Sequence, residues 1–286
     1  MLGMNKLPRQ KRVEIISQLV EGMSLRSVMR TTGVSINTVT KLLIDAGRAC
    51  SEYQDRHLRG LTCKRIQVDE IWAFCYAKQR NVPAAKSAPD QAGDIWTWAA
   101  IDADNKLAIS WLVGSRDAEA AHVFMQDVAR RLANRVQLTS DGHNTYLTAV
   151  WDVFRLDVDY AQLVKQYGPA PEPAGRYSPA QCIGAEKRRF IGTPDQKHIS
   201  TSFVERQNLT MRMHMRRFTR LTNAFSKKAE NHTYAVALHF MAYNFCRIHK
   251  TLRVSPAMAA GVTDRLWDIV DIVRMIEDWE ARQVSG

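Results

Sequence analysis

The feature that most constrains this chain is a change of texture at Lys64. Before it, apolar residues recur at helical spacing. After it, strand-like apolar runs alternate with turns and further helix-period segments. A purely helical bundle and a purely β fold are both excluded. The leading part divides into three short amphipathic helices. Pro8 suits an opening turn, with Val13, Ile16, Val20 and Met23 on one face. Ser24 caps a second helix with Leu25, Val28 and Met29 inward, Gly33 turns the chain, and Ser35 caps a third with Val39, Leu42, Leu43 and Ala46 inward. Two short helices, a glycine turn and a third helix make a helix-turn-helix. The outer face of the last helix keeps Asn37, Thr38, Thr40 and Lys41, short polar or cationic groups able to bond base edges or phosphates.

In the second part, KRIQVDEIWAFCY (64–76) predicts a strand, and IWTWAAI (95–101) and LAISWLV (107–113) form a hairpin across DADNK, where Asp102 and Asp104 are turn formers. A helix over 116–133, a strand over 136–140 ending at Asp141, a helix over 146–154 and a strand around 158–164 follow. This order is α/β. Successive β-α-β steps favour parallel pairing and the early hairpin adds antiparallel strands, so the sheet is mixed and flanked by helices. Residues 166–201 carry most of the prolines and read as an irregular insertion with a short strand at 188–191. Helices over 202–223 and 229–249 come next. Ser255-Pro256 then opens a last helical stretch that breaks at Gly261 and resumes with Ile269, Val273 and Ile276 on its apolar side.

Charge narrows the partner. The 286 residues hold 40 Lys and Arg against 29 Asp and Glu, a net +11. Residues 1–65 alone contain 12 of those cations against 5 acids. Such an excess points to a polyanion, with nucleic acid ahead of an acidic membrane surface. No apolar run reaches the roughly 18 residues of a membrane span, and MLGMNKLPRQKR lacks the apolar core of a signal peptide, so a cytoplasmic protein is expected. The five cysteines are scattered without a C-x-x-C pair, which indicates neither a disulfide framework nor a zinc ribbon.

Three acids stand out by position: Asp69 within the first strand, Asp141 at the end of a later one, and Glu205 in the first turn of a long helix. Brought together, three carboxylates can hold two hard divalent cations around a phosphate. Singly, each has a structural reading. Asp141-Gly142 makes a turn, Asp69 is a strand charge beside Glu70, and Glu205 is the fourth residue of a capping box starting at Ser202. Glu186 and Asp195 are the reserve acids. Residues 206–228 contain Arg206, Arg212, Arg216, Arg217, Arg220, Lys227 and Lys228, interleaved with Phe218 and Phe225 and without one acid, as phosphate binding requires. Asn208 lies on the same helix side as Glu205 and is placed to orient a substrate phosphate, and His143 sits two residues past Asp141.

A helix-turn-helix, then QVDEIW, a hairpin, LTSDGHNTY, TSFVERQN and YNFCRIHKTLRVSPA resembles, over nearly the whole chain, the DDE transposases of bacterial insertion sequences, especially the insertion-sequence-one type. The resemblance implies an RNase H-like mixed sheet preceded by an all-α domain: a helix-turn-helix over 1–60, a DDE catalytic domain over 61–250 with its insertion at 166–201, and a C-terminal helical extension over 251–286. It implies Asp69, Asp141 and Glu205 as catalytic metal ligands, two Mg²⁺ or Mn²⁺ ions, and cleavage and strand transfer of double-stranded DNA at terminal inverted repeats and a target. A homo-oligomer on DNA and a bacterial, nucleoid-associated location follow from the same resemblance. A non-catalytic helix-turn-helix regulator derived from a transposase is the alternative.

Overall fold

The structure is a computed structural model describing residues 6–169, 181–219 and 223–285. Helices α1 (Arg9–Val20), α2 (Leu25–Thr32) and α3 (Ile36–His57) come first. The Ser24 hydroxyl accepts the Ser27 N–H, Gly33 ends α2 at φ 70°, and the Ser35 hydroxyl accepts the Thr38 N–H, so the caps are the expected ones. The third helix is not short. It runs 22 residues and buries Ala49, Cys50 and Gln54 beyond the expected inward positions. No proline interrupts it, and Gly47, its only glycine, stays helical because a second helix crosses there: a Cβ at Gly47 would lie 2.2 Å from Tyr234 Cβ.

That crossing helix is α7 (Ala229–Phe245), buried on nearly every side from Val236 to Phe245. The chain between these two helices forms a six-stranded sheet from β1 (Arg65–Cys75), β2 (Gly93–Asp102), β3 (Ala108–Gly114), β4 (Gln137–Asp141), β5 (Asp159–Tyr167) and β6 (Cys182–Ile191). The order is β3-β2-β1-β4-β5-β6. Strand β2 runs antiparallel to both of its neighbours, β1 and β3, while β1, β4 and β5 are parallel and β6 returns antiparallel to β5. This is the expected mixed sheet with flanking helices. Helices α4 (Ala118–Arg131) and α5 (Thr145–Phe154) supply the β-α-β crossovers, and Asp102 caps the hairpin turn by accepting the Asp104 N–H at 2.8 Å.

Strand alternation divides the packing. Ile66, Val68, Trp98 and Ala100 face α4 and α5 in a core continuous with α1, α2 and α3, whereas Ile71, Ala73, Ala99 and Ile101 face α6 (Ser202–His214) and α7. Arg131 ties α3 to the sheet body by donating to the Gln54 and Leu58 carbonyls at the end of that helix, both 3.3 Å away. Helices α8 (Pro256–Ala259) and α9 (Ile269–Ser285) close the chain, with Ile272, Val273 and Ile276 buried. Among the described residues no helix is long and apolar enough to cross a membrane.

Two further expectations change. The stretch 166–201 holds a ten-residue strand, β6, where only a short one at 188–191 was expected; 170–180, where its prolines concentrate, lies outside the described residues. The full length of β6 is not legible in the sequence because it is an exposed edge carrying charge on both faces, as edges do to discourage pairing with other chains. The helix expected over 202–223 ends at His214. Met215 is extended (φ −130°, ψ 105°) and a tight turn at Arg216–Phe218 follows, which drops Phe218 into the core and turns Arg217 inward.

Candidate active site

Strands β1 and β4 pair from Arg65↔Gln137 to Gln67↔Thr139 and then part, although both continue. At the same register Asp69 stands level with Asp141, two positions past the last pair. Parallel strands that separate at their carboxyl ends open a crevice, and here it is walled by aspartates. Alternation puts Gln67, Asp69, Asp141 and, through Asp141↔Leu163, Lys165 on the face that α6 covers. Gln67 docks that helix: its side-chain oxygen accepts the Phe203 and Val204 N–H groups at 2.8 and 3.2 Å, satisfying two donors of the first turn. A strand side chain thus sets the helix end that bears Glu205.

Each acid is held differently. Asp69 accepts the Glu70 N–H and the Asn208 amide, both at 2.9 Å. Asp141 accepts the His143 N–H at 3.0 Å. Glu70 points initially to the other face, yet its carboxylate rejoins the group: one oxygen each from Asp69, Glu70 and Asp141 lie within 4.8 Å of one another. Arg116 lies 2.5 Å from one Glu70 oxygen and the Tyr146 hydroxyl donates to the other at 3.0 Å. Glu205 receives the Lys165 ammonium at 2.6 Å and the Thr201 hydroxyl. The capping-box reading is not realised, because the helix is capped at Thr201 and Glu205 bonds its hydroxyl rather than a backbone N–H.

Burial pushes the Asp69 carboxyl up to about 7, reinforced by the charges of Glu70 and Asp141 and, more weakly, Glu205, against the opposing Glu70 N–H bond. Burial and the Glu70 charge raise the Tyr146 phenol well above its ordinary range, so it donates rather than ionises. Burial would lower Lys165, but its hydrogen bond to Glu205 and the attraction of that charge raise it. A cluster of carboxylates that resists full ionisation alone has the character of a cation site. Its donors are hard oxygens of the kind Mg²⁺ and Mn²⁺ take, and the Asn208 side-chain oxygen is buried beside them without a partner.

The structure therefore brings Asp69 and Asp141 together with Glu70 as the third carboxylate of the group, whereas Glu205, the expected third acid, stands outside that group on α6, near enough for its charge to act on Asp69 and bonded to Lys165. Asn208 grips Asp69 instead of facing outward. Glu186 pairs with Arg188 at 2.7 Å and Asp195 bonds the Lys197 N–H at 2.9 Å, both outside the cluster. Glu70, Arg116, Tyr146, Lys165 and Gln67 escaped the sequence reading. Gln67 alone left a signal, as a polar residue on the Asp69 face of an apolar strand.

Cationic residues gather beyond the other end of α6. Arg206 and Arg212 are exposed on the helix. Past it, a cleft of about 900 Å³ opens between the first three helices and residues 214–231, lined by Arg26, Arg30, Thr40, Arg216, Arg217 and Lys227, with no carboxylate among the described lining residues. Arg26 and Arg30 were missed, although their i,i+4 spacing puts them on one outer face of α2. Arg217 donates to Ser226 Oγ and the Asn231 carbonyl, both at 3.0 Å, and burial lowers it to about 10. Asn37 and Lys41 are exposed on α3, Lys41 bonded to Asp45 at 2.5 Å, while Thr38 and Thr40 are half-buried, Thr40 bonding the Ile36 carbonyl. Arg220 lies outside the described residues.

No protein-family model matches the chain, and no curated protein does. Among the solved structures similar to it, two at low identity are transposase complexes. A cryo-EM structure of a piggyBac transposase synaptic complex with hairpin DNA shares 9% identity, covering 100% of this chain and 75% of that one, with a TM-score of 0.39. A crystal structure of a pre-cleavage Mos1 transpososome shares 13% identity over 56% of this chain and 61% of that one, with a TM-score of 0.22. Likenesses this remote bear no functional weight, which falls on the chemistry of the site.

Proposed function

We propose that this protein is a DNA transposase that cleaves and joins phosphodiester bonds with divalent metal. The observation that carries the reading is the convergence of Asp69 and Asp141 where β1 and β4 part, beneath Glu205 of α6. Asp69, Asp141 and Glu205 would hold two Mg²⁺ or Mn²⁺ ions. Bound there, such ions supply an activated nucleophile and a stabilised leaving oxygen, first for water and then for a DNA 3′-hydroxyl. The chain's own part is to position. Asn208 and the Glu70 N–H fix the Asp69 carboxylate, the His143 N–H fixes Asp141, and Gln67 fixes the helix that carries Glu205. Glu70, bonded to Arg116 and Tyr146, acts as a buttress of the crevice.

DNA is the partner the charges favour. Residues 1–60 would recognise element ends through Asn37, Thr38, Thr40 and Lys41, and 61–250 would act on them, with 251–286 bracing the helices. Arg206, Arg212 and Arg216 would follow the phosphate backbone from the crevice to the basic cleft, and Arg217 would contribute by shaping the turn that presents Arg216. From Glu205 to His214 the helix rises about 14 Å, or about four base steps of duplex. The test is incubation of purified protein with labelled element ends and a target duplex, with Mg²⁺, with Mn²⁺ and with chelator. Metal-dependent nicked and joined products are expected. Binding without cleavage would favour the regulator instead, and cleavage without joining would make it a nuclease.

A further inference from the structure

We propose that Lys165 is a built-in counter-ion of the acidic site, holding Glu205 until a divalent cation arrives and releasing that carboxylate to it. The inference rests on the metal-dependent reading above. Strand β5 lies beside β4, and its register puts Leu163 opposite Asp141. Lys165, two residues on, therefore shares the face of Asp141 and meets α6 from below. Its ammonium lies 2.6 Å from Glu205, and the two side chains remain 32% and 38% exposed.

The other acids are held differently. Asp69 has neutral donors, the Asn208 amide and the Glu70 N–H. Glu70 is itself buried, with Nε and Nη2 of Arg116 both on one of its oxygens and Tyr146 on the other. Lys165 is a point charge on a flexible stem beside the crevice. Its head can return to water without any movement of β5, leaving a Glu205 oxygen open. An ammonium and a divalent ion seek the same carboxylate, so they compete for it. The ion pair thus keeps Glu205 over the crevice before loading while weakening the affinity of the site.

Mn²⁺ binding to the full-length protein without DNA, read from loss of the free-ion EPR signal, tests this. Lys165→Met should bind Mn²⁺ about tenfold more tightly, the scale of removing one nearby positive charge at a partly exposed site. Lys165→Arg, which keeps the charge, should stay near the parent. The gain should vanish when Lys165→Met is combined with Glu205→Gln. Unchanged affinity in Lys165→Met, or a gain that persists without the Glu205 carboxylate, overturns the proposal. A parent protein that binds no Mn²⁺ overturns the metal-dependent reading itself. Thermal melts establish that each variant folds, and Lys165→Gln carries the same comparison should the Met variant fail to.

Discussion

The two ends of α6 carry opposite charge and acquire it by different means. At the first turn, Glu205 stands near Asp69, which with Asp141 has its place set by the register of strands that have just parted. Past the last turn, Arg216 and the residues lining the cleft are presented on surfaces from separate parts of the chain. The helix dipole favours both placements, since acids are stabilised at the amino end and cations at the carboxyl end. The difference is one of tolerance. The acidic end holds charges in a fixed, partly buried cluster, where one lost oxygen abolishes a ligand. The basic end spreads its charge over side chains in water, where losses are gradual.

The largest expected effect falls on the acidic end. Asp141→Asn keeps the size of the side chain and removes the charge a divalent ion needs, so cleavage should drop by orders of magnitude while DNA binding stays. A gel assay beside a binding titration checks this, and normal cleavage would show that Asp141 holds no essential metal ion. Glu205→Gln should likewise lose cleavage and strand transfer. Its stability should change by no more than about 1 kcal/mol, because the broken pair with Lys165 is partly exposed. A thermal melt together with the gel separates the two effects.

A smaller effect should appear in the metal-free protein. The Asp69 carboxyl is held protonated in the fold to about 7, well above its ordinary value of 3.8. Its contribution to stability is therefore full below that ordinary value and is lost as pH rises towards 7. Asp69→Asn abolishes this titration. With chelator present, the variant should gain Tm over the parent at pH 8, by a few degrees on a scale of ~2 °C per kcal/mol for a chain of this size, with the gap closing towards pH 4. Parallel melting curves across that range would show that the cluster is not repulsive.

The smallest effects should separate neighbours at the basic end. Arg216→Ala should weaken DNA binding a few-fold and flatten the salt dependence by about one ion. Arg217→Ala should instead cost stability, because its guanidinium is bonded inside to Ser226 and the Asn231 carbonyl. Salt titrations and melts of the two variants, side by side, decide whether the turn after α6 divides grip from scaffold.

Much was legible before any coordinates. The caps at Ser24 and Ser35, the glycine turn at Gly33 and the strand, hairpin, helix, strand order rest on local chemistry, in which each residue signals its own conformation. Asp69 and Asp141 were visible as acids at strand positions for the same reason. Other features depended on what lies across the fold. The length of α3 reflects the α7 crossing at Gly47, and β6 is an edge whose pattern marks no buried face. Glu70 enters the acid group from the wrong side of its strand, Lys165 meets Glu205 from 40 residues away, and Arg217 turns into the protein beside an outward Arg216. Sequence alone determined which residues prefer helix, strand or turn and which can ionise, because those are properties of short segments. Only the tertiary structure decided which charges are neighbours, because a carboxylate's partner is set by register and helix docking between segments distant along the chain.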